Sequence, residues 1–142
     1  MNLFINSPAY FTQRYGVIDE LYNLCKEIST MIDIKKYTDC IDTIGITPII
    51  APEDVIRQGL WKEEMKISLP YRMAAISLHT DYVMFCEANL EQKKKMVLDN
   101  IFRSLKIVKG KLKNKFDYDQ MEGDIISCVS QMEVRWEGGA EQ

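Results

Sequence analysis

The feature that most constrains the fold is an amphipathic helix pattern that runs from about Leu90 to Leu112. Apolar residues recur there at every third or fourth position, which places them on one face of a helix. Lysines and other charged residues fill the remaining positions, and Asn89 is a residue type that favours a helix N-cap. The apolar stripe consists of Leu90, Met96, Val97, Ile101, Leu105, Val108 and Leu112. The pattern predicts a long helix with one face in the core and one in solvent.

Two further helices are predicted, one before and one after this helix. An N-terminal helix from about Val17 to Asp33 has apolar residues spaced by three and four positions. Its stripe consists of Ile18, Leu21, Cys25, Ile28 and Ile32, widened by Val17, Leu24 and Met31. A final helix is predicted to begin near Asp117, with Asp117 or Asp119 as its cap. It is predicted to bury Met121, Ile125, Val129 and Met132.

Alternation of apolar and polar residues predicts two neighbouring strands in the middle of the chain. One covers Met65 to Leu69, and the other covers Arg72 to Thr80 with Ala74, Ile76 and Leu78 on one face. The connection between them is too short for the crossover that a parallel pair requires, so we expect antiparallel pairing. A short strand or hairpin is also predicted within residues 3–15.

Three segments have a less regular pattern. Residues Ile44 to Ile50 are strand-like, but Pro48 lacks the amide hydrogen that a ladder needs, so we predict an edge or irregular strand. Residues Pro52 to Gly59 predict a short helix, because proline and the acids after it suit a helix N-terminus. The run from Tyr82 to Phe85 either extends the sheet or covers its end.

These elements predict an α+β protein in which a small antiparallel sheet packs against an N-terminal helix and two C-terminal helices. The chain has 142 residues, near the usual size of one domain, so a single core is sufficient. Its hydrophobic fraction of 46% and charged fraction of 27% argue against disorder. We predict one domain over residues 1–136 and a frayed tail over residues 137–142.

Cysteine spacing and hydropathy bear on the compartment. Cys25, Cys40, Cys86 and Cys128 form no C-x-x-C pair, so we expect free and mostly buried thiols. The N-terminal residues have neither a basic leader nor an apolar run of signal-peptide length. The apolar runs are also far shorter than the roughly 20 residues that cross a bilayer. The expectation is a soluble, cytoplasmic protein.

The sequence offers few residues for a catalytic motif. His79 is the only histidine, which excludes metal sites that require two. The glycines form neither a phosphate-binding loop nor a dinucleotide fingerprint. Acid pairs at residues 53–54, 63–64 and 117–119 are typical of helix starts and solvated surface. We therefore predict no enzymatic activity, no cofactor and no metal site, with a small enzyme built around His79 as an alternative.

Charge is unevenly distributed along the chain, although the net charge is only -3. Residues 93–115 carry nine basic side chains and one acidic side chain, a net charge of +8, whereas residues 116–142 carry -6. Such a basic helix can lie along a phosphate backbone, so Lys106, Lys109, Lys111 and Lys113 are candidate nucleic-acid-binding residues. The favoured interpretation is the solvated face that any long amphipathic helix needs, so nucleic-acid binding is the alternative.

A family resemblance is carried by short segments in the second half of the chain. They are Trp61 with residues 65–69, residues 75–78 and 100–106, and Lys115-Phe116-Asp117-Tyr118 before Asp124-Ile125. In these segments, over about residues 61–126, the chain resembles the small immunity proteins of bacterial polymorphic toxin systems, mainly in packing patterns. It implies a cytoplasmic, non-catalytic protein without a cofactor that binds a co-produced toxin domain and blocks its active site or substrate path.

The partner implied by this resemblance is a toxin domain, and an acidic chain suits a basic partner such as a nuclease. No membrane is expected to take part. The predicted contact residues are acids outside the lysine-rich helix. They are Asp39, Asp42, Glu53, Asp54, Glu63 and Glu64.

Overall fold

The structure is a computed structural model of the chain, and it describes residues 3–5, 19–51, 64–68 and 70–140. The strands are β1 (Leu3–Ile5), β2 (Thr43–Ala51), β3 (Glu64–Ser68) and β4 (Met73–Asp81). The α-helices are α1 (Asp19–Met31), α2 (Tyr82–Glu87), α3 (Leu90–Leu112) and α4 (Tyr118–Ala140). Two short 3-10 turns occupy Ile34–Lys36 and Lys113–Lys115.

The α+β class is confirmed, but the sheet is mixed and not antiparallel throughout. The strand order is β1-β2-β4-β3. Strands β3 and β4 pair antiparallel as predicted, whereas β1 with β2 and β2 with β4 pair parallel. The prediction of an antiparallel sheet was wrong because it considered only the two strands that are adjacent in sequence. Parallel partners are joined by longer crossovers, which leave no local signal of strand direction.

Strand β2 lies inside the sheet, so its prediction as an edge strand was also wrong. It pairs with β4 along its whole length, and Pro48 is opposite Leu78. The described residues of β1 pair with Ile44, Gly45 and Ile46. Pro48 lies outside this described pairing, so its missing amide hydrogen removes no bond from it.

Helices α1 and α3 pack against the sheet, and α4 packs against α1 and α3. The face they cover presents fully buried apolar residues from three strands, and the predicted face of β4 is confirmed by the burial of Ala74, Ile76 and Leu78. The stripe of α3 contributes Val97, Ile101, Leu105 and Val108 to the same core, and α4 contributes Met121, Ile125 and Met132. From α1, Leu21, Leu24, Cys25 and Ile28 are buried, whereas Met31 is 59% exposed and does not join the stripe.

Helix ends follow the local signals in the sequence. Helix α3 has the predicted bounds, and Asn89 and Gln92 form a capping box at its start. The Asp117 side chain accepts a hydrogen bond from the Gln120 backbone at 3.2 Å, which identifies Asp117 as the cap of α4. Residues after β4 form helix α2, so they cover the end of the sheet, and Phe85 is completely buried.

Some predictions fall outside the described residues. These are the second arm of the early hairpin at residues 9–15, the start of the first helix before Asp19, and the short helix from Pro52 to Gly59. Helix α4 continues to Ala140, so four residues of the tail predicted at 137–142 are helical here, and its fraying remains a prediction.

Candidate functional site

The loop that leads into β2 is fastened to the turn between β3 and β4 by one side chain. The Arg72 Nε donates to Asp42 Oδ2 at 3.0 Å, and its Nη2 donates to the Asp39 carbonyl at 2.5 Å. The Arg72 carbonyl in turn accepts the backbone N–H of Asp42 at 2.7 Å and of Thr43 at 3.2 Å. The hydrogen bond from Arg72 holds the pKa of the Asp42 carboxyl below its ordinary value, and the same bond raises the pKa of the guanidinium.

Arg72 adopts a backbone conformation that favours glycine. Its φ is 52°, and among the described residues Lys113, with a φ of 55°, is the other non-glycine residue with a positive φ. Lys113 ends α3 and donates its backbone N–H to the Lys109 carbonyl. Both unusual residues lie at the same end of the molecule. Backbone of this kind persists only where surrounding contacts hold it, and it is frequent at functional sites.

The turn that Arg72 anchors presents apolar side chains to solvent. Tyr71 is 84% exposed, and Met73 on the other side of Arg72 is 41% exposed. A tyrosine combines a large apolar ring with a hydroxyl group, so an exposed one can bury much apolar area against a partner and still form a hydrogen bond. An exposed tyrosine beside an ordered arginine has the composition of a protein-binding hot spot.

A pocket of about 420 Å³ is lined in part by the same loop, at Tyr37, Thr38, Asp39 and Cys40. We call it the lysine pocket, and its lining comprises Lys35, Lys36, Tyr37, Thr38, Asp39, Cys40, Asn114 and Lys115. Three lysines and one aspartate make the lining basic. The first 3-10 turn supplies one wall and the second supplies the other, so the pocket exists only because the fold brings residues 35–40 and 114–115 together.

Tyr37 holds these two walls in place. Its carbonyl accepts the Asp117 backbone N–H at 2.9 Å, and its hydroxyl donates to Asp124 Oδ2 on α4 at 2.5 Å. Lys36 Nζ lies 3.3 Å from the same oxygen. Burial, followed by the bond to Asp124, raises the pKa of the Tyr37 hydroxyl, and the bond from Tyr37 lowers the pKa of Asp124. We call the assembly of residues 35–42, 70–73 and 113–117 the loop end.

The structure places two of the six predicted acidic contact residues at the loop end. Asp39 is exposed and lines the lysine pocket, whereas Asp42 is half-buried and binds Arg72. Glu64 begins β3, and its side chain is outside the description. Glu53, Asp54 and Glu63 lie outside the described residues. Asp39 and Asp42 therefore both contact Arg72, Asp39 through its carbonyl and Asp42 through its carboxylate. The sequence did not reveal this, because Arg72 lies 30 or more residues further along the chain.

The four lysines proposed for nucleic-acid binding differ in their exposure to solvent. Lys106, Lys111 and Lys113 are exposed, but Lys109 is half-buried and its Nζ donates to the Phe116 carbonyl at 2.9 Å. Lys109 therefore stabilises the C-terminal end of α3, where a cation also complements the helix dipole. Lys115, which was not among these four, is the one that lines the pocket.

The residues considered for catalysis lie elsewhere. His79 is on β4 opposite Ile49 and is half-buried. Within the described residues, no three or more His, Cys, Asp or Glu side chains are grouped so that they could hold a metal ion. In that same part of the chain, no helix has the length and apolar composition needed to cross a bilayer. Cys25 is a buried free thiol as predicted, Cys128 is also buried, and Cys40 is half-buried. Burial raises the pKa of Cys25 to about 12.

Tyr71, Arg72, Lys35 and Lys115 were missed as site candidates. A signal for the first two exists in the sequence, because Pro70-Tyr71-Arg72 puts an aromatic residue and no glycine in a tight turn. Lys35 and Lys115 carry no such signal. They become a site only when the two 3-10 turns meet.

The comparisons with known proteins give one match. The family model for immunity protein 44 matches residues 1–131. No curated protein and no solved structure matches the chain. The match extends well beyond the residues 61–126 that suggested the resemblance and includes the whole described sheet and the loop end. The chain therefore belongs to the immunity protein 44 family.

Proposed function

We propose that this protein is a cytoplasmic bacterial immunity protein that binds a cognate toxin domain of a polymorphic toxin system and neutralises it. The observation that carries the proposal is the family match over residues 1–131. Immunity requires tight and selective association, and the protein needs no reaction of its own for that. We therefore propose that the protein is non-catalytic and acts by covering the active site or substrate path of the toxin.

The fold suits a binding role of this kind. The sheet and the three long helices share one buried core, and the loop end presents Tyr71 and charged side chains at the surface of this scaffold. A preformed surface loses little conformational entropy on binding, which favours high affinity. The predicted contact acids Asp39, Asp42, Glu53, Asp54, Glu63 and Glu64 belong to this proposal, as does a basic toxin such as a nuclease, because the chain has a net charge of -3.

The proposal predicts that a neighbouring gene encodes a large secreted protein with a C-terminal toxin domain. To test this, that domain is expressed in bacteria with and without this protein. We expect that the domain alone stops growth, that co-expression restores it, and that the two chains co-purify as a complex. An immunity protein from a different toxin pair is the matched control and should not restore growth. Growth arrest that persists in the presence of this protein, with no complex formed, would refute the proposal.

Purified components distinguish neutralisation from indirect rescue. The toxin activity is measured with increasing amounts of this protein, and inhibition should reach completion at a stoichiometric ratio. Retention of the free protein on heparin that falls steeply with salt, without any effect on the toxin, would instead favour the nucleic-acid alternative.

A further inference from the structure

We infer that the toxin domain docks on the loop end, with Tyr71 as the apolar anchor and the lysine pocket as the receptor for a carboxylate of the toxin. This inference rests on the proposed function and adds to it the surface that binds and the chemistry of the partner surface.

Tyr71 is the apolar part of the surface. It is the most exposed of the large hydrophobic residues described, at 84%, and its turn stands beside the pocket wall formed by Asp39. A tyrosine that passes from solvent into a partner pocket buries a large apolar area and keeps its hydroxyl available for a hydrogen bond. Tyrosine is one of the residue types that most often dominate the energy of protein interfaces.

Arg72 is a positioning residue for this anchor. Its two side-chain hydrogen bonds and the two backbone bonds to its carbonyl fix the turn on the 39–42 loop. The guanidinium is therefore committed to Asp42 and to the Asp39 carbonyl. Fixing the turn before the partner arrives reduces the ordering that binding requires. The unusual φ of Arg72 is maintained by these same bonds.

The lysine pocket supplies the polar part of the surface. Lys35 and Lys115 are exposed and stand on its two walls, whereas Lys36 lies 3.3 Å from Asp124. Thr38 and Asn114 add side chains that can donate hydrogen bonds. A concave site with several cationic and neutral donors matches a carboxylate, which accepts hydrogen bonds on both oxygens.

The local charge of this surface differs from the charge of the chain. The chain as a whole carries -3, but three lysines against Asp39 make the pocket lining basic. Net charge governs long-range attraction, whereas contact charges decide register and partner choice. The toxin surface that fits the loop end therefore has an apolar hollow for Tyr71 beside an acidic side chain, even where the rest of the toxin is basic.

The first test measures the affinity of the toxin domain for Tyr71→Ala, Tyr71→Phe and a matched control. The control is Met84→Ala, because Met84 is 66% exposed and follows the opposite end of β4. We expect Tyr71→Ala to weaken binding by about thirtyfold or more, as hot-spot truncation does. Tyr71→Phe, which keeps the ring, should lose less than about tenfold, and Met84→Ala should bind like the wild type. Equal affinity of Tyr71→Ala and wild type would overturn the inference.

The second test concerns the lysine pocket and is made with Lys35→Gln/Lys115→Gln. Lys26→Gln/Lys95→Gln removes the same charge from exposed positions that do not line the pocket, and serves as the control. We expect the first pair to weaken toxin binding by about tenfold and to reduce its dependence on salt, and the second pair to change it little. Equal losses from both pairs would mean that only overall charge matters and would refute the pocket assignment.

A third measurement maps the surface without any substitution. Cys40 lines the lysine pocket and is half-buried, so a thiol reagent followed by peptide mass mapping reports on access to it. In the complex, its alkylation should slow by about tenfold or more relative to the free protein. If wild type binds the toxin but Cys40 is not protected and Tyr71→Ala binds normally, the docking surface is elsewhere and the immunity role stands. If wild type itself does not bind, the proposed function fails first.

Discussion

Helix α3 and the loop end differ in almost every property that determines what a region of a protein can do. Helix α3 is regular along 23 residues, is capped at its start, and buries one stripe in the core. The loop end joins three short segments that are distant in sequence, contains both described non-glycine residues with positive φ, and leaves Tyr71 exposed. Helix α3 therefore contributes mainly to the stability of the core, and we propose that the loop end contributes mainly to binding.

Separation of the two roles has a physical basis. A core residue contributes through complete burial, so it is not available to a partner. A binding residue must remain in solvent until the partner arrives, and it therefore contributes little to folding. Tyr37 is the exception that connects the regions, because it lines the lysine pocket and binds Asp124 on α4. Substitutions in each region should therefore affect mainly either stability or toxin binding.

The largest loss of stability is expected from Leu105→Ala on α3. Leu105 is completely buried, so its truncation removes apolar contacts and leaves a cavity in the core. The free energy of unfolding should fall by about 2–5 kcal/mol, measured by urea denaturation. Lys106→Ala, at the exposed neighbour, should change it by less than about 0.5 kcal/mol. Toxin affinity of the folded fraction should be unchanged, and a large loss of affinity would contradict the separation.

A smaller effect is expected from Tyr37→Phe, which removes one hydroxyl where the regions meet. The loss of the bond to Asp124 should lower the free energy of unfolding by about 1–2 kcal/mol at neutral pH. Ser127→Ala, at an exposed position on α4, is the control and should be nearly neutral. An unchanged unfolding midpoint in Tyr37→Phe would show that this bond does not stabilise the loop end.

The pH dependence of the same pair sharpens this prediction. The pKa of Asp124 is lowered in the folded state, first by the Tyr37 bond, so its contribution is complete above the unfolded carboxyl pKa of about 3.9. That contribution is lost as pH falls through the lower folded pKa. The pKa of Tyr37 is raised, so its contribution is complete below its unfolded pKa of about 10 and is lost as pH rises further. The difference between wild type and Tyr37→Phe should therefore shrink below about pH 4 and above about pH 10.

The next largest loss of stability is expected from Asn89→Ala, at the start of α3. The Asn89 side chain accepts a hydrogen bond from the Gln92 backbone N–H at 2.9 Å. The Gln92 side chain accepts one from the Asn89 backbone N–H, also at 2.9 Å. Removal of this capping box should cost about 1 kcal/mol in chemical denaturation. Asn89→Asp, which retains a capping oxygen, should be close to wild type. Equal destabilisation by both substitutions would assign the effect to something other than the cap.

The smallest difference in stability is expected between Arg72→Gly and Arg72→Ala. Both lose the bonds to Asp42 and to the Asp39 carbonyl, but glycine adopts a φ of 52° without the clash that alanine suffers. Arg72→Gly should therefore melt at a higher temperature than Arg72→Ala, while both bind the toxin more weakly than wild type because Tyr71 is no longer held. Equal melting temperatures would show that this backbone conformation is not strained.

Much of the helical layer could be predicted because its signals are local. The bounds of α3, the cap at Asn89 and the cap at Asp117 each depend on residues within one or two turns. The antiparallel pair β3–β4 could be predicted for the same reason, since a short turn joins its strands. The interior position of β2 could not be predicted, because long stretches of chain separate it from β1 and β4, and because Pro48 suggested an edge strand.

The candidate site could be predicted from the sequence only in part. Asp39 and Asp42 were predicted as contact acids from charge, and both lie at the loop end. The resemblance over the second half of the chain anticipated the family that the match over residues 1–131 shows. Tyr71 and Arg72 were overlooked, because the turn at Pro70-Tyr71-Arg72 was interpreted only as the connection between two strands, and the exposure of Tyr71 is seen only in the structure.

The sequence by itself determined the helices, their buried faces, the β3–β4 pair and the family, because hydrophobic period, caps and turn length act over a few neighbouring residues. Only the tertiary structure decided which strands pair in parallel and which charges meet. Asp42 and Arg72 are 30 residues apart in the chain, and Lys35 and Lys115 are farther still. Contacts at such separations are set by how the helices pack on the sheet, and packing depends on the shape of the whole core.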